Sequence, residues 1–251
     1  MLKKTFIAVA FATLCTGWAA SAQTNLQVFY DFGKDRKHVT TTIEGFYADN
    51  WGNTFFFIDH DFNAKDSDNK IEAPAGTYME IARCLNFWQN TPVSPLSLHV
   101  EYNGGIYQGY TIKNAFLAGL DWFIHSKDFR NTLNLKVLYK YIHKTHATVP
   151  MQFTVVWGMQ DLFGLKGLRF SGFADFWWED HTLFTDNKGN PLATSQQSRV
   201  VFISEPQLWY NVGRHFGVDN LNIGGEVELS FDFGTAKGFW ARPCAGLKWV
   251  F

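Results

Sequence analysis

The chain is built from short stretches in which apolar and polar residues alternate, and the last of them shows the pattern most cleanly. Phe239, Ala241, Pro243, Ala245, Leu247, Trp249 and Phe251 share one parity. Trp240, Arg242, Cys244, Gly246, Lys248 and Val250 share the other, and the charges all lie there. A period of two puts these sets on opposite faces of a β-strand. About ten residues, apolar outward and polar inward, is what a tilted transmembrane strand requires. The alternative is an edge strand of a soluble sandwich. Such an edge is normally short or blunted by charge, because unpaired backbone invites aggregation. Closing the sheet removes the edge altogether.

The same alternation recurs along the chain. Leu26, Val28, Tyr30 and Phe32 oppose Gln27, Phe29 and Asp31. Val39, Thr41, Ile43, Gly45 and Tyr47 oppose Thr40, Thr42, Glu44 and Phe46; Thr54, Phe56 and Ile58 oppose Phe55, Phe57, Asp59 and Asp61. Between these two strands, Asp49-Asn50-Trp51-Gly52 reads as a tight turn. Asn63 to Gly76 reads as a long polar loop. From Thr77 to Gln89 the pattern is less clean, because Met79, Ile81, Leu85 and Phe87 share a face with Arg83. Either Arg83 snorkels at a rim or a bulge shifts the parity.

Beyond the turn at Pro92 and Pro95, Leu96, Leu98, Val100 and Tyr102 alternate with Ser97, His99, Glu101 and Asn103. A glycine-rich loop is expected around Gly104-Gly105, then a strand with Phe116, Ala118, Leu120, Trp122 and Ile124 outward and Asp121 inward. Leu133, Leu135, Val137, Tyr139 and Tyr141 oppose Asn134, Lys136, Leu138 and Lys140. Met151 to Gln160 and Leu168 to Glu179 follow the same rule, the latter with Arg169, Ser171 and Asp175 inward. Asp180 to Ser198 reads as the longest polar loop, Val200 to Val212 as a strand. In the next strand, Leu221 to Phe233, the odd-numbered apolar positions through Phe233 oppose Asn222, Glu226, Glu228, Ser230 and Asp232. The total is about twelve strands, an even number, as in single-chain bacterial barrels. The longest loops follow odd-numbered strands, which suits a barrel with both termini on the periplasmic side. By this parity an arginine at outward Val137 costs about 2–4 kcal/mol, and one at lumen-facing Leu138 is expected to be milder.

Composition sharpens the class. Of 251 residues, 18% are aromatic, including 25 Phe and 10 Trp, on a chain that is mildly hydrophilic overall. That combination suits a wall with lipid on one side and water on the other, ringed by aromatic girdles. The formal net charge of −1 gives no electrostatic case for nucleic acid as a partner. At the N-terminus, Lys3 and Lys4, the apolar run Phe6 to Leu14 and the small residues Ala20-Ser21-Ala22 read as a cleaved export signal over residues 1–22. Residues 23–251 are then one outer-membrane β-barrel domain, an all-β antiparallel up-and-down fold, whose partners are outer-membrane lipid and lipopolysaccharide and the barrel-assembly machinery. Cys84 and Cys244 are placed on distant strands and read as separate thiols. Neither has a metal-ligand spacing, and no cofactor is expected.

Thr42-Ile43-Glu44-Gly45-Phe46, the turn with Trp51, and Phe55-Phe56-Phe57-Ile58-Asp59 resemble the early hairpin of the Tsx-type nucleoside-specific channels of the bacterial outer membrane. One residue intervenes between Asp49 and Trp51, where that family has Asp-Trp. Tyr78-Met79-Glu80-Ile81 with Arg83, Glu205-Pro206-Gln207 and the terminal aromatic strand resemble its later parts. The resemblance implies a monomeric barrel of twelve strands with a narrow lumen that passes nucleosides.

A channel needs a wet wall with weak, repeated binding positions. For a nucleoside, inward Phe29, Phe46, Phe55, Phe57 and Trp240 are the candidates to stack the base. Glu44, Asp59, Glu80, Asp121, Asp175, Glu226 and Asp232 are the candidates to accept from ribose hydroxyls or exocyclic amines. Lys136, Arg169 and Arg242 complete the expected lining; alternatively these cations, with Lys140 and Lys248, pair with the acids in a structural charge lattice. The histidines admit a lipid-modifying enzyme, but His125 and Ser126 are neighbours in sequence and would point to opposite faces of a strand. No Gly-x-Ser-x-Gly elbow is present. A non-conducting structural or adhesive barrel is the remaining alternative.

Overall fold

The computed structural model describes residues 22–65, 68, 70–108 and 110–251. The stretch read as an export signal lies outside the described residues, except that Ala22 opens the first strand. The wall is a closed antiparallel barrel of twelve strands. They are β1 (Ala22–Asp31), β2 (Val39–Asp49), β3 (Gly52–Phe62), β4 (Gly76–Leu85), β5 (Leu96–Tyr107) and β6 (Tyr110–His125). The second half comprises β7 (Asn131–Ile142), β8 (Met151–Gln160), β9 (Leu168–Thr185), β10 (Pro191–Ser204, continued by Gln207–Tyr210), β11 (Leu221–Phe231) and β12 (Phe239–Val250). Each strand pairs with its sequence neighbours, and β1 pairs with β12 through Leu26↔Trp249 and Tyr30↔Ala245. Every wall strand therefore has two partners, as a sheet surrounded by lipid must.

The expected parities hold on the wall. Val28, Ile43, Leu120, Val137 and Leu247 are 40–54% exposed, while Gln27, Asp31, Asp121 and Lys248 on the opposite parity are at most 9% exposed. Aromatic pairs on the outer face, such as Tyr47–Phe56 near the termini and Tyr102–Phe116 toward the other end, mark two girdles. β4 has no bulge. Arg83 keeps outward parity and reaches the rim, donating to Asp49 at 2.8 Å and to Thr54 at 3.1 Å.

Several expectations differ from the structure, among them that Asn63–Gly76 is all loop, since Ala64–Lys65 pairs with Ile71–Ala73. Gly104 and Gly105 do not form a loop: β5 runs through them to Tyr107, with a register shift between Asn103 and Gly105. The polar stretch Asp180–Ser198 is mostly a hairpin, because β9 and β10 extend past the wall and turn only at Asp186–Asn190. Its polarity reflects two water-facing sides rather than missing strand structure. Phe233 is not outward; a positive φ of 48° at Asp232 turns the chain, and Phe233 packs inside against Trp177. Leu138 faces inward as expected, but the site is dry. It has 0% exposure and joins Leu117, Trp177, Val201 and Ile203 in an apolar cluster inside the barrel. An arginine there would be a buried charge without a partner, so the milder cost expected from a wet lumen does not apply.

The strand expected over Val200–Val212 ends at Tyr210 and is interrupted at Glu205-Pro206, where proline has no N–H to offer the ladder. Register is unchanged across the gap, with Ser204↔Leu229 before it and Gln207↔Glu226 after it. Glu205 therefore keeps inward parity. On the facing strand, a Cβ at Gly172 would lie 2.3 Å from the Glu205 carbonyl oxygen, so only glycine admits this approach.

Candidate functional site: the barrel interior

Strand parity assembles the interior from three regions. The first lies at the end opposite the termini, where the β1–β2 loop folds over the mouth. Arg242 of β12 donates to Glu228 of β11 at 2.5 Å and to Asp35 of the loop at 2.8 Å. Arg36 of the loop bonds Glu228 and lies 3.1 Å from Asp31. Trp240 is buried beneath the Arg242 guanidinium, 4.6 Å from ring centre to Cζ. Here the expected charge lattice forms direct ion pairs, and it uses loop residues that alternation alone could not assign.

The second region is the apolar cluster between β6, β7, β9 and β10. Lys140 bounds it, lying 3.7 Å over the Trp177 ring and donating to Gln152 at 2.7 Å. Lys248 sits likewise over Trp209, which also packs on Phe29 at 5.5 Å. Both ammonium groups lie over rings and Lys140 also bonds an amide, while the predicted carboxylates act on the two lysines at longer range. Phe29 and Trp240 are 3% and 6% exposed, so both rings are already packed and leave no face open to a ligand.

The third region is reached by water. Glu44, Phe55, Phe57, Asp59 and Glu80 on β2–β4 keep part of their surface accessible, as do Arg169 and Asp175 on β9 and Glu226 on β11. Phe57 stands between Phe55 at 6.1 Å and Tyr78 at 5.9 Å, a continuous aromatic strip; Phe46, in register with Phe55, extends it to the rim. The acids beside the strip are held by neutral donors. Asn25 donates to Glu44 at 2.9 Å, Thr42 to Asp59 at 2.5 Å, Tyr78 to Glu80 at 2.6 Å and Gln207 to Glu226 at 2.8 Å. Glu44 is near enough to Arg169 and Lys248 to interact electrostatically across the interior, and Glu205 to Asp59 and Glu226. Arg169 Nε and Asp175 Oδ1 are buried without a protein partner. Buried polar atoms require one, so both retain hydrogen-bonding capacity.

Two predicted residues lie elsewhere. Asp232 shapes the β11–β12 turn, accepting from the Gly238 N–H at 2.6 Å and from the Ser198 hydroxyl at 2.7 Å. Asp121, opposite Lys136 on the β6–β7 ladder, belongs to a buried group with Cys84 and His99. Cys84 and Cys244 are free thiols. Tyr78, Glu205 and Trp209 are interior groups that the sequence pattern was not read to place inward, and Glu228, read as inward, was not among the candidate lining residues. Continuing the period of two through Pro206 would have placed Glu205 and Trp209.

A family model described as a domain of unknown function, DUF5020, matches residues 22–251. The chain belongs to the DUF5020 family. No curated protein sequence matches it. Among solved structures, the NanC porin aligns with a TM-score of 0.52 at 7% identity, over 90% of this chain and 98% of the porin. The outer membrane protein opdK from Pseudomonas aeruginosa aligns with a TM-score of 0.41 at 7% identity, over 93% of this chain and 99% of that one. The first likeness bears on the fold: this DUF5020 barrel has the architecture of an outer-membrane porin. Neither likeness bears on a solute.

Proposed function

We propose that this protein is an outer-membrane channel that passes nucleosides or similar small solutes by facilitated diffusion. The observation that carries the reading is the water-reached strip Phe55–Phe57–Tyr78 with Glu44, Asp59 and Glu80 beside it. An aromatic strip offers a stacking surface to a planar base, and carboxylates accept from ribose hydroxyls and exocyclic amines. The interior carboxylates Glu44, Asp59, Glu80, Asp175, Glu205 and Glu226 outnumber the interior cations Lys136, Lys140, Arg169 and Lys248, so neutral or cationic solutes are favoured over anions. The resemblance of Thr42–Asp59 to the Tsx-type hairpin points to the same solute class. The protein acts on this reading as a monomer embedded in lipid and lipopolysaccharide, without an enzymatic step.

Refolded protein in planar bilayers should conduct, with a reversal potential in a salt gradient that shows cation preference. Added adenosine or uridine should reduce the current, and Phe57→Ala should weaken that block more than it lowers the conductance. Anion preference, or current indifferent to nucleosides, would refute the solute assignment. A second reading, a closed structural barrel, is favoured by the apolar cluster around Leu138 and the ion-paired loop over the mouth. Zero conductance from protein that migrates as a folded barrel would decide for it.

A further inference from the structure

Near the terminal end of the barrel, three chemically different side chains from adjacent strands converge. Cys84 on β4 is opposite His99 on β5, and His99 is opposite Gly119 on β6. Asp121 lies two residues further along β6, on the same face as Gly119. Cys84 Sγ lies 3.3 Å from His99 Nδ1 and 3.3 Å from Asp121 Oδ2. One donor atom from each of the three fits within 4.8 Å of the others. The residues are 5%, 1% and 2% exposed.

The surroundings orient each donor inward. Glu101 Oε2 lies 2.8 Å from His99 Nε2, which makes Nε2 the protonated nitrogen and turns the Nδ1 lone pair toward the sulfur. Asn134 donates to both oxygens of Asp121, at 2.8 and 3.0 Å. A carboxylate behind a histidine and a fixed carboxylate ligand are the outer contacts that metal ligands carry. The thiol has one proton, yet Sγ has two acceptors at equal distance. An ion in place of that proton would satisfy all three groups at once. For tetrahedral zinc with bonds of about 2.3 Å to sulfur and 2.0–2.2 Å to nitrogen and oxygen, neighbouring ligand atoms stand about 3.5 Å apart. The two observed separations are close to that value.

We propose that Cys84, His99 and Asp121 bind one zinc(II) ion, with a fourth position left for water or a solute. Thiolate and imidazole together select a borderline transition metal over calcium or magnesium. Binding replaces the Cys84 S–H by a Zn–S bond and releases one proton to solvent. The site does not depend on whether the barrel conducts. Cysteine, histidine and Glu101 also line up as nucleophile, base and orienting acid, but Asp121 Oδ2 stands against the sulfur where a substrate carbonyl would have to approach.

The test is refolding of the full mature barrel with zinc present, followed by dialysis and metal analysis. One zinc per chain is expected, with Cys84→Ser and His99→Ala reduced to background and Cys244→Ser unchanged. Glu101→Gln should weaken affinity roughly 10–100-fold, as loss of a contact behind a ligand does. Refolding with cobalt(II) should give a thiolate-to-cobalt charge-transfer band in the intact chain, a readout that needs no variant to fold. No zinc retained by the intact chain, zinc content unaffected by Cys84→Ser, or cobalt without the thiolate band would each overturn the site.

Discussion

Val137 and Leu138 are neighbours on β7, yet truncating them should have very different costs. Leu138 has no exposed surface and packs with Leu117, Trp177 and Val201 inside the barrel. Val137 is 46% exposed on the outer face. Leu138→Ala removes apolar contacts and leaves a cavity, because the backbone cannot collapse into it: Gly119 and Gln152 hold Leu138 on either side through the ladders. The cost for such a buried leucine is about 2–5 kcal/mol, and poor collapse places this site at about 3–4. Val137→Ala faces lipid chains that flow into the space, so about 1 kcal/mol or less is expected. Urea titrations of folding into phospholipid vesicles, followed by tryptophan fluorescence, measure both, and Trp177 beside Leu138 reports on the cavity directly. Equal losses at the two positions would refute the dry interior cluster.

Val137→Arg, in contrast, should cost about 2–4 kcal/mol in the same titration, since it puts a charge on the lipid face near the middle of β7; a cost near zero would move that face out of the membrane. Acidification should release the loop over the mouth. Burial raises the Asp35 carboxyl, but the Arg242 hydrogen bonds and charge outweigh it and hold it below its ordinary 3.8. A depressed folded-state value contributes stability that is complete above the ordinary value and is lost as pH falls through the lower one. Hydrogen exchange of residues 33–38 should therefore accelerate on strong acidification, and Asp35→Asn should reduce that dependence, leaving the part carried by Arg36 with Asp31 and Glu228. Deleting Phe251 removes one ring, 69% exposed, and the N–H that donates to Thr24 at 2.9 Å. Burial alone makes this a small loss, but an imperfectly closed seam leaves edge backbone that lipid cannot satisfy. Failed insertion and loss of the fast-migrating unheated form on a denaturing gel are expected, and a folded, soluble variant would overturn the closure of β1 on β12.

Much of the wall was readable from the chain alone. A strand between lipid and a polar interior has to alternate, so Phe239 to Phe251 and Leu26 to Phe32 declare both their structure and their facing residues. The errors fall where that constraint lapses. In Asp180–Ser198 both sides of the hairpin meet water, so strand leaves no apolar signature and resembles loop. At Asp232 a single positive φ reverses the parity, which no count of alternate residues can anticipate. At Leu138 the parity was correct and the environment was not, because inward means wet only if nothing fills the interior.

The contents of the barrel are decided by closure. Leu117, Leu138, Trp177 and Val201 come from four different strands, and only their meeting in three dimensions makes a dry cluster. Asp35 and Arg36 lie between two strands with no alternation to place them, and only the folded loop brings them to Arg242 and Glu228. Cys84 lies 15 residues from His99 and 37 from Asp121 along the chain, with no motif spacing to connect them. Within the regular strands of the wall the sequence by itself determined which residues face outward and which inward, because that choice is made strand by strand through local periodicity. Which inward residues touch one another depends on strand order, register and closure. Those are properties of the whole sheet, so the tertiary structure alone decided them.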